Sequence, residues 1–415
     1  MLKPGFLVCL LLCLLGWGNT YADAPSKARG WRYDGSGVFP VREAPVLGTE
    51  SAKLVWKKVL VEPSNGSPVV YGDRVYIVSE PTELQALDLR TAKLLWKRQN
   101  NYMDTYKGDE LADAKKKALE AEKLRKELDS RKKELYRMKR RLRGSTPSAG
   151  LADAVKALEK RVNEMHKKYD QTWRVRQLPP IELIGYSSGT PLVDESGIYV
   201  GFGNGVFSRF DFDGTRRWSV GFGDPPGMMR GYNKGHSASP ILIGNRLIVG
   251  YQKLRALDKD SGAVAWEGDI FLDYGTPVPM RLGEEDLVVT PQGEVYRLSD
   301  GEQLADDLGD VWHCGPVVDG NVLYFVGSGL GRIGAKGKAA DASKSKGKAR
   351  AIRLSMEGGE LRHETLWESP VEPGDYYASP VLYGGILYSI SIAGVLIAMD
   401  SRTGKTHYRK VLEPL

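Results

Sequence analysis

The stretch "SPVVYGDRVYIVSEPTELQALDLRTAKLLWKR" (residues 67–98) decides the fold. Ser-Pro opens an apolar strand, because proline is tolerated at a strand's first residues. Gly-Asp then turns the chain into a second strand of alternating β-branched and aromatic residues. A third strand, "LQALD", ends in Asp at a turn that elsewhere carries Thr-Gly or Ser-Gly, and a fourth strand carries Trp96. The same grammar recurs at 239–268 and 379–410, and in degenerate form from 190, 276 and 315. That makes six copies with a period of roughly forty residues. Trp218, Trp266 and Trp367 repeat Trp96; the copies from 276 and 379 lack the Trp, with Tyr408 standing in for the latter.

Four short strands per repeat of this length signal a β-propeller blade. One twisted blade cannot cover both of its faces, so blades pack radially around a channel. The expectation is an all-β chain, a β-propeller of about six four-stranded blades. "LVWKKVL" (54–60) reads as an extra outer strand that latches the ring, which leaves seven blades open.

The "ALD…TG…W" signature resembles the pyrroloquinoline-quinone-like (PQQ-like) propeller repeat family, over roughly 31–100 and 173–415. "WRYDGSGVFP" (31–40) is similar to the lead-in of its exported bacterial members. The resemblance extends to the propeller component of the outer-membrane protein assembly machinery. It also implies an alternative, a quinoprotein oxidoreductase, in which PQQ sits in the channel with a vicinal disulfide, a stacking Trp and a calcium site. No Cys-Cys pair exists here, and no catalytic Asp falls in a matching motif. No cofactor, PQQ included, is therefore expected, and no enzyme.

The formal charge of +7 is local. Residues 104–170 hold twenty Lys/Arg against thirteen Asp/Glu, and 332–353 hold eight basic residues against Asp341 alone, so the remainder is net acidic. The first of these segments interrupts the β pattern. Leu151, Val155, Leu158, Val162, Met165 and Tyr169 alternate steps of four and three, a heptad seam, and Ala114, Ala121, Leu124, Leu128, Leu135, Met138 and Leu142 offer a partner seam. "RGSTPSAG" between them stops and turns the chain. The reading is an antiparallel helical hairpin, a coiled coil, inserted at 104–171 between the first and second blades. After Glu134 the first helix carries Arg137, Lys139, Arg140, Arg141 and Arg143 without an acid. Part of that cluster suits the helix macrodipole. The rest marks a tip for an anionic partner, a membrane surface, an envelope polymer or an acidic protein patch. Nucleic acid is not expected. The second basic segment, 332–353, reads as a flexible loop.

Lys3, the apolar run "FLVCLLLCLL" and the small residues before Ala22 read as a cleaved secretory signal peptide at 1–22. Leu12 before Cys13 does not suit lipidation. Cleavage leaves Cys314 as the lone thiol, so no internal disulfide is expected. The organisation expected is a lead-in with the first blade at 23–103, the hairpin, and the remaining blades at 172–415, in a periplasmic or envelope protein.

The connections that precede each blade are "PSNGSP", "GYSSGTP", "NKGHSASP", "FLDYGTP", "DVWHCGP" and "GDYYASP". Propeller geometry converges them on one channel mouth, gathering Asn65, Tyr186, Ser187, His236, Asp273, Tyr274, His313, Asp375 and Tyr376. Aromatic and polar groups around a concavity compose a binding site; capping strand ends and holding water is the plainer role. "VWHCGP" falls short of zinc spacing, and "GFGNG" (201–205) lies away from a strand-to-helix junction, so it is no phosphate loop. The functional expectation is a non-catalytic exported scaffold or binding module for envelope proteins or polymers, with a glycan-binding module as a second alternative.

Overall fold

Each sequence repeat becomes one four-stranded antiparallel sheet, giving six blades at 69–99, 192–221, 241–268, 278–305, 317–370 and 381–411. The computed structural model describes residues 29–39, 54–144, 149–176, 184–223, 236–270, 272, 274–309, 311–327 and 347–412. The chain divides into two compact units, 1–100 with 181–415, and Asn101–Pro180. The signal-peptide segment lies outside the described residues.

The repeat signature has a mechanical reading. In the third strand the register slips after Ala86, Ala256 and Ala351, each of which lies opposite the Trp of the fourth strand, Trp96, Trp266 and Trp367. The indole then reaches the next blade. Trp96 Nε1 donates to Phe212 O at 2.8 Å, Trp218 to Lys259 O at 3.0 Å, Trp266 to Leu298 O at 2.7 Å and Trp367 to Ser401 O at 2.9 Å. The receiving turn is shaped by its Asp: Asp258 Oδ1 accepts from Ser261 N at 2.9 Å and Ser261 Oγ at 2.8 Å. Its glycine must stay bare, because a Cβ on Gly262 (φ +74°) would sit 2.8 Å from the Trp218 ring.

Apolar side chains from facing sheets fill the spaces between blades. Tyr76, Val78 and Ala86 pack on Val193, Ile198 and Phe210 between blades 1 and 2, and Tyr199 and Phe207 pack on Leu247 and Val249 between blades 2 and 3. Further clusters join blades 3 to 4 and run through 4, 5 and 6. Among the described residues none joins blade 6 to blade 1. The outer face of blade 1 is covered instead by residues 54–60, with Trp56 and Leu60 on Val75, Ile77 and Leu87. Trp56 Nε1 donates to Leu89 O at 2.8 Å, the same tether the blades use. Residues 55–60 form no regular strand, so this segment closes on blade 1 through its side chains and adds no seventh blade.

One strand begins where a loop was expected. Lys348–Glu357 is the third strand of blade 5, so the flexible reading of 332–353 fails from Lys348 onward. Ala349, Ala351, Ile352 and Leu354 are buried, while Lys348 and Arg353 turn outward to Glu368 and Glu364 at 3.2 Å each. The basic residues therefore occupy the wet positions of an alternating strand.

The second unit consists of α1 (Gly108–Gly144) and α2 (Ala149–Asp170), packed along Leu128, Val162 and Met165 with Leu124, Leu135, Leu158 and Tyr169 around them. At 1.5 Å per residue α1 is about 55 Å long and α2 about 33 Å. The surplus length of α1 is served by short 3-10 turns at Tyr102–Thr105 and Trp173–Val175, where Tyr102 and Trp173 meet edge to face at 4.8 Å. No helix of the described residues is long and apolar enough to cross a membrane.

Trp266→Phe keeps the ring but removes the donor to Leu298 O. The buried carbonyl left without a partner costs about 1–2 kcal/mol, and urea unfolding should show a lower midpoint at unchanged slope. Replacing 104–171 by a short Gly-Ser linker should leave a cooperatively melting β protein by circular dichroism, because closure entropy grows slowly with inserted length.

Candidate functional site

The small residue before each blade's opening Pro joins neighbouring blades. Thr190 N donates to Ser239 Oγ at 3.0 Å and Ser239 N to Thr276 Oγ1 at 2.9 Å, and Gly315 N donates to Ser379 Oγ at 2.9 Å. Blade 5 breaks the pattern, having Gly315 where its neighbours have a hydroxyl. A Cβ there would come 2.5 Å from the Trp31 ring and 2.7 Å from Thr276 O. Gly315 therefore makes room for an indole from the far N-terminal side of the chain.

That indole belongs to residues 29–39, which run along the inner strands. Arg29 N donates to Val193 O at 2.7 Å, and Arg29 O accepts from Val193 N at 2.8 Å. Val318 N donates to Ser36 O at 3.0 Å, and Leu382 N to Gly37 O at 3.0 Å. Gly35 lies against Ile241 and Pro279. Blades 2 to 6 are thus all touched by one segment. Its tight turn pairs Gly30 with Tyr33 and puts Arg32 (φ +52°) and Tyr33 (φ +70°) in the left-handed region. Such backbone costs non-glycine residues about 1–3 kcal/mol each. The turn aims Arg32 inward: Nη1 donates to Pro316 O at 2.8 Å and Nη2 to Pro380 O. Burial, opposed by Cys314 and Asp34, lowers the Arg32 pKa to about 10, so the guanidinium stays charged at neutral pH. Gly37 lies so close that any side chain there would collide with it.

Trp31 and Arg32 line a cavity of about 310 Å³ with Ser237, Tyr274, Thr276, His313, Tyr377 and Ser379. Its wall is an aromatic row, Tyr274 5.1 Å from His313 and His313 4.7 Å from Tyr377. Tyr377 is 54% exposed; burial and then Asp375 raise its pKa.

The nine residues expected at the mouth separate into groups. Tyr274 and His313 line the cavity, with Asp375 acting on Tyr377 behind it. Asn65 is exposed and donates to Ile184 O at 2.6 Å. Tyr186 and Ser187 are buried around the Glu80 carboxylate, whose Oε1 accepts Tyr186 N at 2.9 Å, Ser187 N at 2.8 Å and Ser187 Oγ at 2.6 Å. His236 is buried on Tyr251 at 5.0 Å. Tyr376 is buried with its hydroxyl donating to Glu372 O at 2.9 Å, and burial, then Glu372 and Cys314, pushes its pKa up to about 12. Asp273 lies outside the described residues. Sequence reasoning did not single out Trp31, Arg32, Tyr377 or Glu80. The closely spaced Gly35 and Gly37 were the available signal for the first two.

Residues 29–39 are hydrogen-bonded to the first strands of blades 2, 5 and 6. Among the described residues no three His, Cys, Asp or Glu side chains converge as metal ligands.

Six four-stranded sheets, four of them tethered to the next by an indole, with a mouth cavity, define a β-propeller of the PQQ-like repeat type. The chain is a PQQ-like β-propeller repeat protein: the family model described as the outer membrane protein assembly factor BamB matches residues 22–120 and 173–278. Among solved structures it is similar to BamB from Moraxella catarrhalis, at 13% identity and a TM-score of 0.48 over 88% of this chain and 82% of that one. It is also similar to a europium-containing methanol dehydrogenase, at 10% identity and a TM-score of 0.50 over 88% and 73%. Neither likeness concerns more than the fold. No curated protein matches the chain.

His236 gives a pH test. Burial lowers its folded pKa from 6.5 to about 4. The unfolded chain binds that proton below about pH 6.5, so the contribution is present above this pH and is lost as pH falls toward 4. The loss amounts to about 3 kcal/mol. His236→Phe should flatten that part of a melting-temperature profile.

Proposed function

We propose that this protein is a non-catalytic, exported binding module of the cell envelope, a scaffold for a protein or polymer partner. The observation that carries the reading is the N-terminal segment lying along the inner strands of five blades, where it shapes the mouth cavity. The family model's description, an outer-membrane assembly factor, supports an envelope setting. The channel mouth, with Tyr274, His313, Asp375 and the neighbouring connections, takes the ligand or partner.

The arm adds a second contact. Lys139 turns inward to Glu159 at 2.6 Å, while Arg137, Arg140, Arg141 and Arg143 are exposed beside Tyr136, itself 70% exposed. This tip suits an anionic envelope surface. Near an anionic lipid layer each basic residue contributes about 1 kcal/mol, screened beyond about 8 Å at physiological salt.

Arg137→Glu with Arg140→Glu should release the protein from envelope fractions, and moderate salt should release the wild type. Retention under both treatments would remove the tip from the reading. Saturable binding of PQQ with calcium, coupled to dye reduction by an alcohol, would overturn the non-catalytic assignment.

A further inference from the structure

We propose that the cavity beneath the N-terminal turn binds a carboxylate-bearing sugar. The inference rests on the binding-module reading and gives its ligand a chemistry. Ser237 Oγ spends its hydrogen on Tyr274 O at 3.0 Å, while Thr276, Ser379 and Arg32 bring donors to the cavity. Thr276 Oγ1 accepts Ser239 N and Ser379 Oγ accepts Gly315 N, both at 2.9 Å, which leaves each hydroxyl its own hydrogen to give. Arg32 uses Nη1 and Nη2 on two carbonyls; a guanidinium has five N–H groups, so donors remain. Its Nε has no hydrogen-bond partner, and no carboxylate lies within ion-pair distance of Arg32 among the described residues. Asp34, the nearest acid in sequence, directs Oδ1 to Ser36 N at 3.0 Å and Ser36 Oγ at 2.7 Å. A fixed cation among hydroxyl donors calls for an acceptor-rich anion, and the planar guanidinium matches a carboxylate.

The remaining surface is aromatic. Trp31 lies under the guanidinium at 4.8 Å from its ring centre, and Tyr274, His313 and Tyr377 continue the wall. Such faces suit the C–H side of a pyranose. A cavity of about 310 Å³ stands at the small end of ligand pockets, roughly 300–1,000 Å³. It holds one acidic ring, with any polymer leaving through the side where Tyr377 is exposed.

The test titrates the signal-peptide-free protein with glucuronate, glucose and acetate, read by calorimetry and by tryptophan fluorescence. Glucuronate should bind saturably and about tenfold or more tighter than either control, a difference of one decade in Kd. Tyr377→Ala should weaken it by a similar factor at unchanged melting temperature. Arg32→Lys, checked for the same melting, should erase the preference over glucose. Equal binding of acetate would overturn the sugar, equal binding of glucose would overturn the role of Arg32, and an unaffected Tyr377→Ala would overturn the site. If wild type ignores glucuronate yet still fractionates with the envelope in an arm-dependent way, the ligand assignment falls and the scaffold reading stands.

Discussion

The propeller depends on one donated proton, the indole N–H that the outer strands of blades 1, 2, 3 and 5 hand to the next blade's turn. Its geometry sets several sequence requirements at once. An Ala faces the ring across the sheet in blades 1, 3 and 5 and Arg209 does so in blade 2, an Asp holds the receiving turn, and a bare glycine lets the ring lie against it. None of these residues is helpful alone. Together they fix how far one sheet is rotated from the next, so the apolar faces of Tyr76, Tyr199, Tyr296 and Tyr324 meet their neighbours. Trp56 extends the scheme beyond the six sheets, serving blade 1 where Tyr408 of blade 6 cannot.

The site forms where that regularity lapses. Gly315 lacks the hydroxyl that Ser239, Thr276 and Ser379 supply, and the gap admits Trp31. With the indole comes Arg32, turned inward by strained backbone and clasped by the carbonyls of Pro316 and Pro380. A repeat protein gains function by breaking its own pattern at one position, because the scaffold around it stays determined by the other copies. The same segment that shapes the cavity also bonds to the first strands of blades 2, 5 and 6.

The two units divide the electrostatic work. The propeller sequence is net acidic, while the helical unit carries the basic surplus and keeps most of it exposed. Many of its charges are neutralised locally, as in Lys117 with Asp113 and Arg125 with Glu122, and these stabilise an exposed helix modestly. In the last turns of α1, Lys139 pairs with Glu159 and so holds α2.

The blades and the hairpin were legible because their signals are local and periodic. "ALD" followed by Trp recurs at fixed offsets, and Leu158, Val162 and Met165 recur at helical ones. The convergence of Tyr274 and His313 followed from the same periodicity. What periodicity cannot supply is depth: His236 and Tyr376 share the same connections, yet one ring is buried at a tilt against Tyr251 and the other bonds Glu372 O. Nor can it place residues that occur once. Trp31 and Arg32 belong to no repeat, and Glu80 stands in a loop more than a hundred residues from the amides it accepts. Their positions follow from backbone brought together across blades, and that is decided only when the ring is assembled. The sequence determined the blade and narrowed its count to six or seven; the tertiary structure settled on six sheets and decided which mouth residues face a cavity, because burial depends on the neighbour and not on the motif.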